Sequence, residues 1–318
     1  MKIGIIGCGT IAATYFRTLD RLEGLYEVTA LYDVAPERIR AYGFPESKIC
    51  GSLAELIGRE DVDCVIISTP IHTHRAIAEQ CLRGKKHVLV EKPAVLRTRE
   101  LEELYALARE MGVVFHVAFH SAYGVDIDWY LDNPGKTDPL YHRDNIRRAE
   151  CRFYDPYIRD GVMQEDRKAL GGSYIDSGVN ILSVCSRLVS LEALSLRSHR
   201  TQKTPDGVVY ASETVFGDGQ TELALHTGWD WGVNHKSTLL QFHGTDREIL
   251  LDHTGQAVWQ LLPNGEKQLL FLEDRVPRMV NQYARVFRIF AEVVALDARA
   301  AYQRQAMLVH ERLFSAES

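Results

Sequence analysis

The sequence has no close pair of cysteines, no long apolar run and no excess of positive charge. Its six cysteines are scattered along 318 residues, and none forms a Cys-x-x-Cys pair. Scattered cysteines in a chain of this length are typical of buried thiols in a reducing compartment, and they disfavour a disulfide framework or a zinc site. We therefore expect a cytoplasmic protein with no bound metal.

Other absences concern membranes and nucleic acids. No apolar stretch is long enough to cross a bilayer, and the apolar start of the chain is too short for the core of a signal peptide. Lys and Arg number 37 against 43 Asp and Glu, so the net charge is −6. This balance disfavours nucleic acid or an anionic membrane as the main partner. The chain also has no repeats, low-complexity segments or long linkers.

The first third of the chain does contain a regular alternation of strand and helix patterns. The apolar runs "KIGII", "CVIIS" and "HVLVE" have the length and composition of strands buried on both faces. A helical stretch that ends at Gly84 lies between the second and third of these runs, and another that ends at Gly112 follows the third. This order predicts an α/β fold that begins with a doubly wound parallel sheet of the Rossmann type, with right-handed crossovers.

The pattern changes after residue 120. Strands dominate from Leu191 to Leu272, with hairpin signals at "GDGQ" and "PNGE", and they alternate polar and apolar residues. Because 318 residues exceed one small core, we predict two domains, 1–120 and 121–318. The second should be an α/β domain with a large open, mainly antiparallel sheet. Two helical stretches close the chain and could pack back on the first domain.

The glycines of "GCGTIA" lie where a dinucleotide would bind. The motif follows a strand and opens a helix, so Gly7 allows a tight turn and Gly9 lets a pyrophosphate approach the backbone beside Thr10 and Ile11. Asp33 ends the second strand about 20 residues further on, at the usual place of the residue that binds the ribose. The motif therefore predicts dinucleotide binding.

The residues after the second strand favour NAD over NADP. Asp33 would accept hydrogen bonds from a ribose diol and repel a 2′-phosphate, although it could instead cap the next helix. Val34 offers nothing to a 2′-phosphate. Arg38 could reach such a phosphate, but more often it would be solvated on its helix. We predict NAD as the cofactor, with NADP as the alternative.

Two more buried strands should end at the same edge of the sheet. "CVIISTPIHTH" places Ser68, Thr69 and Pro70 there, where ligands bind in such sheets. His74 starts the following helix, and for it a contact with the cofactor and a packing role are equally open.

"HVLVEKPAVL" brings Glu91 and Lys92 to that edge, before a proline that should bend the chain away. A lysine delivered by a buried strand is a candidate proton carrier, and Glu91 could tune or position it. The alternative is a surface ion pair.

"LGGSYIDSGVN" predicts a helix with Asp176 and Asn180 on one face, because the two residues are four positions apart. An acid beside a carboxamide indicates a binding site. The amide of Asn180 can donate and accept hydrogen bonds, but it cannot carry a proton.

Together, "GCGTIA", "ISTPIHTH", "GKKHVLVEKPA" and "GGSYIDSGVN" resemble the glucose–fructose oxidoreductase / inositol dehydrogenase / MocA (Gfo/Idh/MocA) family. The likeness covers the N-terminal domain and the first helix of the second. It implies a Rossmann domain followed by an α/β domain with a large open sheet. It also implies an NAD(P)-dependent oxidoreductase acting on a sugar, polyol or related alcohol, and homodimers or homotetramers formed through that sheet.

The resemblance also assigns roles to single residues. Lys92 matches the lysine of the family's EKP motif, which lies near the nicotinamide and the reacting hydroxyl. Asp176 matches the aspartate of the family's GGxxxDxGxH pattern. Asn180 stands where most members have a histidine that is often the proposed acid/base. The proton must therefore go to Lys92, with Asp176 orienting or relaying it, or to a group such as Asp155 or Tyr154.

Family members with Asn at this place include sugar 1-dehydrogenases, so the resemblance favours an aldose 1-dehydrogenase that forms a lactone. An NAD-dependent glycoside hydrolase and a non-catalytic NAD-binding regulator are the alternatives. The predicted substrate-binding residues are Lys92, His120, Arg152, Tyr154, Asp155, Asp176 and Asn180. For further candidates a packing or surface role is about equally open; these are Tyr157, Trp229, Trp231 and His235. Tyr283, on the penultimate helix, is another candidate, but for it a core position is favoured.

Overall fold

A computed structural model describes residues 1–296 and 299–316. The chain forms two compact units, one from residues 1–119 with 283–307 and the other from residues 120–282 with 308–318.

The first unit is built on a parallel sheet. Its strands are β1 (Lys2–Ile6), β2 (Glu27–Tyr32), β3 (Cys64–Ile67), β4 (His87–Glu91) and β5 (Phe115–Ala118). Its helices are α1 (Ala12–Asp20), α2 (Pro36–Arg40), α3 (Leu53–Gly58), α4 (Ile71–Arg83) and α5 (Thr98–Met111), with a 3₁₀ helix at Glu46–Lys48. Every residue of β3 and β5 is buried, as their apolar runs predict.

The strand order in this sheet is β2-β1-β3-β4-β5. The chain first places β2 on one side of β1, and it then places β3, β4 and β5 in turn on the other side of β1. The strand order therefore reverses between β1 and β3. In such sheets the ligand binds outside the carboxyl ends of the strands at the point of reversal. The loops after β1 and β3 meet at that point, since the two strands pair directly.

Among the described residues, the second unit contains a sheet of eight strands, a hairpin of two further strands and three α-helices that lie wholly within the unit. Its helices are α6 (Val125–Asp132), α7 (Pro134–Thr137) and α8 (Val179–Leu188). Its strands are β6 (Ile146–Pro156), β7 (Ile158–Arg159), β8 (Val162–Met163), β9 (Ser195–Lys203), β10 (Val209–Gly217), β11 (Glu222–Gly228), β12 (Asp230–Phe242), β13 (Glu248–Asp252), β14 (Ala257–Leu261) and β15 (Lys267–Leu272). Short 3₁₀ helices cover His120–Tyr123, Pro139–Tyr141, Arg143–Asn145 and Glu165–Leu170.

The large sheet has the order β15-β14-β13-β12-β6-β11-β10-β9, while β7 and β8 form a separate hairpin. Only β6 and β11 pair in parallel, so the sheet is mainly antiparallel. Both predicted hairpins are present, β10 with β11 and β14 with β15. The predicted fold class is confirmed.

Two long helices, α9 (Arg278–Leu296) and α10 (Arg299–Ser315), close the described chain. Within the first unit, the Tyr26 hydroxyl donates to Phe287 O of α9 at 2.7 Å. The Arg299 guanidinium of α10 donates to Val113 O at 3.1 Å. These bonds explain why residues 283–307 belong to the first unit although they lie far away in sequence.

Candidate active site

The turn after β1 leaves part of its backbone open. Gly7 has a φ of 92°, and a Cβ there would lie 2.8 Å from Ser68 O, so only glycine fits. The Gly7 N–H donates to Tyr32 O at 2.8 Å, and the Ser68 hydroxyl donates to Gly7 O at 2.8 Å. At Gly9 a Cβ would have nothing within 4 Å. A fixed loop with open space above Gly9, just before α1, fits the pyrophosphate of a dinucleotide.

Asp33 follows β2 and lies beside this loop. Its carboxylate is buried and accepts hydrogen bonds from the N–H groups of Cys8 at 2.7 Å and Ala35 at 2.8 Å. A guanidinium nitrogen of Arg38 lies 3.5 Å from Asp33 Oδ1, and 57% of the Arg38 side chain is exposed. The acid is therefore fixed where a ribose would bind, and a cation is nearer to it than the sequence indicates.

The loop after β3 is joined to the loop after β4 by His74. Its ring nitrogens lie 2.7 Å from Thr69 O and 3.0 Å from Pro93 O, and burial lowers the pKa of this buried imidazole. Thr69 Oγ1 is also 2.6 Å from Thr73 Oγ1. His74 thus holds the two loops at the cofactor edge together. Its predicted contact with the cofactor, like those of Thr10, Ile11 and Pro70, stays a prediction.

Two tyrosines hold Glu91 at the end of β4. The hydroxyls of Tyr15 on α1 and Tyr283 on α9 both donate to Glu91 Oε1, the second at 2.6 Å, and their rings pack edge to face at 5.0 Å. Desolvation raises the pKa of Glu91, while the bonds from the tyrosines act in the opposite sense. Lys92 is the next residue, half-buried and joined to Pro93 by a cis peptide bond. Tyr283 was a sequence candidate, but no local signal indicates that it and Tyr15, from two helices far apart in sequence, would both bind Glu91.

In the second unit, Asp176 lies in a π-helical turn (Tyr174–Gly178) that leads into α8. Such turns are frequent at functional sites. From Gly172 to Cys185, Asp176 is the only residue that is not buried. Its carboxylate is therefore the polar group that this segment presents outward.

Asn180 lies four residues after Asp176 and is buried. Its Nδ2 donates to Asp176 O at 3.0 Å, whereas its Oδ1 has no hydrogen-bond partner among the residues that the structure describes. A buried acceptor without a donor costs about 1–3 kcal/mol. A ligand hydroxyl that donated to Oδ1 would remove this cost.

Asp155 of β6 belongs to the same cluster as the Asp176 segment. The Ser177 hydroxyl donates to Asp155 Oδ2 at 3.3 Å, Lys236 Nζ lies 3.1 Å from Oδ1, and Asn234 also donates to Oδ1. Only 13% of the Lys236 side chain is exposed. Desolvation lowers the pKa of Lys236, against the effect of the Asp155 and Asp176 charges. Lys236 was not a sequence candidate, because a lysine in an alternating strand looks like a solvent-facing residue.

The structure does not bring Arg152 and Tyr154 together with Asp155. Successive side chains of a strand point to opposite faces of the sheet. Arg152 forms an ion pair with Glu150, and Tyr154 stacks on Trp231 with the ring centroids 4.6 Å apart, both on the face opposite Asp155. The sequence prediction grouped residues that the alternation of β6 separates.

The other aromatic and histidine candidates are likewise not brought together in one place. His120 is buried, with Nδ1 3.1 Å from Gln282 Oε1. Trp229 is fully buried and packs edge to face with Tyr157 at 5.4 Å. His235 lies on the face of Tyr154, and its Nε2 is 3.1 Å from the Ser237 hydroxyl.

Comparisons with known proteins agree with this geometry. Residues 1–119 match the Gfo/Idh/MocA family, described as an oxidoreductase family with an NAD-binding Rossmann fold. The dTDP-3,4-didehydro-2,6-dideoxy-alpha-D-glucose 3-reductase of Streptomyces violaceoruber is 26% identical over 317 residues, which cover 95% of this chain and 88% of the relative. The 1,5-anhydro-D-fructose reductase of Ensifer adhaerens is 36% identical over 119 residues, or 37% of this chain and 35% of the relative.

Two solved structures share the fold over nearly the whole chain. A 3-ketoreductase from Actinomadura kijaniata, in complex with NADP and TDP-benzene, has a TM-score of 0.83 at 20% identity and covers 100% of this chain and 97% of its own. UDP-N-acetylglucosamine 3-dehydrogenase from Acidithiobacillus ferrooxidans has a TM-score of 0.79 at 17% identity, with 99% and 97% covered.

The fold and the glycine loop define an NAD(P)-dependent oxidoreductase. The matched residues 1–119 identify this part of the chain as an NAD-binding Rossmann domain of the Gfo/Idh/MocA type. Across residues 1–296 and 299–316, no helix is both long enough and apolar enough to cross a bilayer.

Proposed function

We propose that the protein transfers a hydride between NAD and a sugar hydroxyl, with Lys92 as the proton carrier. When bound, the nicotinamide supplies the hydride acceptor. Lys92 follows a buried strand at the edge where the cofactor binds, and its neighbour Glu91 is fixed by two tyrosines. Nζ of Lys92 takes the proton of the reacting hydroxyl. Asp176 and Asn180 bind and orient the sugar.

The Asn180 carboxamide carries the finer proposal of an aldose 1-dehydrogenase. Its unpartnered Oδ1 can accept a hydrogen bond from a sugar hydroxyl, but it cannot take the proton. A site with one proton carrier suits an acidic hydroxyl, and the anomeric hydroxyl is more acidic than an ordinary alcohol. C1 loses its hydrogen as a hydride, the C1 hydroxyl loses its proton to Lys92, and the new C1=O bond makes a lactone.

A second candidate is the reduction of a keto group on a nucleotide-linked sugar. The relative from Streptomyces violaceoruber carries such a name, and it matches this chain over 95% of its length. In those substrates C1 is blocked by the nucleotide, so the reaction must occur at another carbon.

Cofactor reduction, followed by the absorbance of the reduced nicotinamide, separates the candidates. The panel contains free aldoses, their methyl glycosides and nucleotide-linked sugars, each tested with NAD and with NADP. We expect free aldoses to react and to give the lactone or its aldonic acid. Reaction of C1-blocked sugars would support the second candidate. No reaction with any sugar would contradict both.

We also propose a cytoplasmic location. All six cysteines are buried free thiols, as expected for a chain that folds in a reducing compartment. Fusion to a fluorescent protein and fractionation of the host cells would test this proposal.

A further inference from the structure

Arg278, the first residue of α9, is a half-buried cation without a carboxylate of its own. No acid lies within ion-pair distance of its guanidinium among the residues that the structure describes. Its one hydrogen bond there runs from Nη2 to Asn234 Oδ1, at the long distance of 3.5 Å. Desolvation lowers the pKa of Arg278. A guanidinium has five N–H donors, so most of its hydrogen-bonding capacity is unused.

The carboxylates whose charges act on Arg278 are already engaged with other groups. They are Asp155, Asp126 and Asp252. Asp155 is paired with Lys236 at 3.1 Å. Asp126 Oδ2 lies 2.6 Å from the ring of His253, and Asp252 Oδ1 accepts the Gly255 N–H at 2.9 Å. Burying a charge is costly unless the charge is paired. Because the nearby acids are engaged with other groups, a negatively charged ligand could supply the partner that the Arg278 guanidinium lacks.

The place of Arg278 connects it with the proposed sugar site. Asn234, which accepts its hydrogen bond, also donates to Asp155, and Asp155 accepts from Ser177, the residue after Asp176. The start of the 19-residue helix α9 adds a partial positive charge at the same position. A negative group on a sugar held by Asp176 would thus meet both the guanidinium and the helix end.

We propose that Arg278 binds an oxyanion of the substrate, and that this oxyanion is a carboxylate, so that the preferred substrate is a sugar acid. The inference rests on the proposed function and names its substrate class. Arginine binds carboxylates and phosphates with paired N–H donors. Asp155 is paired with Lys236, and the charge of Asp176 also acts on Lys236. Beside these two acids, the Arg278 guanidinium, without an ion-pair partner among the described residues, fits a carboxylate, which carries a single negative charge, better than a phosphoryl dianion or a diphosphate.

Matched pairs of neutral and acidic sugars test the proposal. Glucose is compared with glucuronate, and galactose with galacturonate. We expect the wild type to prefer the acids in kcat/KM.

Arg278→Gln should lower kcat/KM for the acids about 10- to 100-fold, chiefly through KM, as expected for the loss of a charge-assisted bond. Activity on the neutral sugars should change less than about threefold. Arg278→Lys keeps the charge and should recover part of the preference, and Arg247→Gln, an exposed arginine of the same unit, should change nothing.

Binding measured without turnover distinguishes the failure of this inference from the failure of the proposed function. Calorimetry with the enzyme–NADH complex compares methyl glucuronide with methyl glucoside. Tighter binding of the glucuronide that is lost in Arg278→Gln supports the inference, even if no sugar is oxidised. Equal binding and equal kinetics for acid and neutral sugars overturn it, even if the enzyme oxidises aldoses.

Glucose 6-phosphate and UDP-glucose serve as phosphoryl probes in the same assays. If they, and not the uronates, depend on Arg278, the oxyanion is a phosphoryl group and the assignment of a carboxylate is overturned. Thermal unfolding of Arg278→Gln and Arg278→Lys shows whether each variant is folded before it is interpreted.

Discussion

At the scale of single residues, turnover should depend most on Lys92. Lys92→Met removes the proposed proton carrier without changing the glycine loop, so NAD should still bind. A general base typically contributes about 10²–10⁴-fold, and kcat should fall by at least that range. Steady-state kinetics and NAD titration measure the two effects. Lys203→Met, on the exposed edge strand β9, is the matched control. If Lys92→Met keeps more than about a tenth of the activity, another group carries the proton.

Asn180 should act as a hydrogen-bonding residue and not as a titrating one. Asn180→Ala removes the unpartnered Oδ1, and we expect a loss of about 1–3 kcal/mol in transition-state binding with no change in the apparent pKa of the kcat/KM profile. Asn180→His should add a titration near pH 6.5 if the ring fits. The pH dependence of kcat/KM for an active aldose is the measurement. A pKa that moves by a unit or more in Asn180→Ala would mean that Asn180 tunes the base directly.

Asp33 should decide the choice of cofactor. We propose that the wild type prefers NAD, because the buried carboxylate is fixed by two backbone N–H groups and would repel a 2′-phosphate. Asp33→Ala should weaken NAD binding and reduce the discrimination. Arg38→Ala is the informative companion, since Arg38 lies 3.5 Å from Asp33. A wild type that prefers NADP, and loses this preference in Arg38→Ala, would show that the cation governs the site.

At the scale of elements, Glu91 joins β4 to α1 and α9 through its two tyrosine partners. Desolvation raises its pKa above the value of about 4.3 in the unfolded chain. The protonated form is thus relatively favoured in the folded state. Its contribution to stability is complete below pH 4.3 and is lost as the pH rises through the folded pKa.

Glu91→Gln should therefore be more stable relative to the wild type at about pH 8 than at about pH 4.5. Urea unfolding of both proteins at the two pH values measures the difference. Glu60→Gln, at an exposed position, should show no such dependence. A difference that stays constant with pH, or changes in the other direction, would refute this assignment.

The elements also show what sequence reasoning could and could not reach. The buried runs and the hairpin turns at "GDGQ" and "PNGE" are local signals, and the corresponding strands are present. The glycine loop was equally readable, because its glycine spacing between a strand and a helix is a local pattern of the sequence. The contacts of Tyr283 with Glu91 and of Arg278 with Asn234 were not predicted, because they join segments that are far apart in sequence. Tyr154 and Asp155 were grouped because the sequence does not show that β6 continues through both residues, which places their side chains on opposite faces of the sheet.

At the scale of the whole molecule, the open face of the large sheet carries an apolar row. Leu239, Leu250, Trp259 and Leu269 pair directly across β12, β13, β14 and β15, and all are half-buried or exposed. Their strand neighbours Leu240, Ile249 and Val258 are fully buried on the covered face. A continuous apolar row on a solvent-facing sheet indicates a binding surface. We propose that a second copy of the chain covers it and that the protein is a homodimer or homotetramer.

Leu250→Glu tests this proposal at the centre of the row. A carboxylate there would have to be buried in the interface without a partner, so we expect the dimer or tetramer to dissociate at least about tenfold more readily. Light scattering after size-exclusion chromatography, over a range of concentrations, gives the mass. Val162→Glu, at an exposed position of β8 outside the large sheet, is the control and should leave the mass unchanged. A variant with the wild-type mass at every concentration would mean that another surface joins the copies, and a monomeric wild type would remove the oligomer altogether. Because the mass is read independently of turnover, neither result depends on which sugar the enzyme uses.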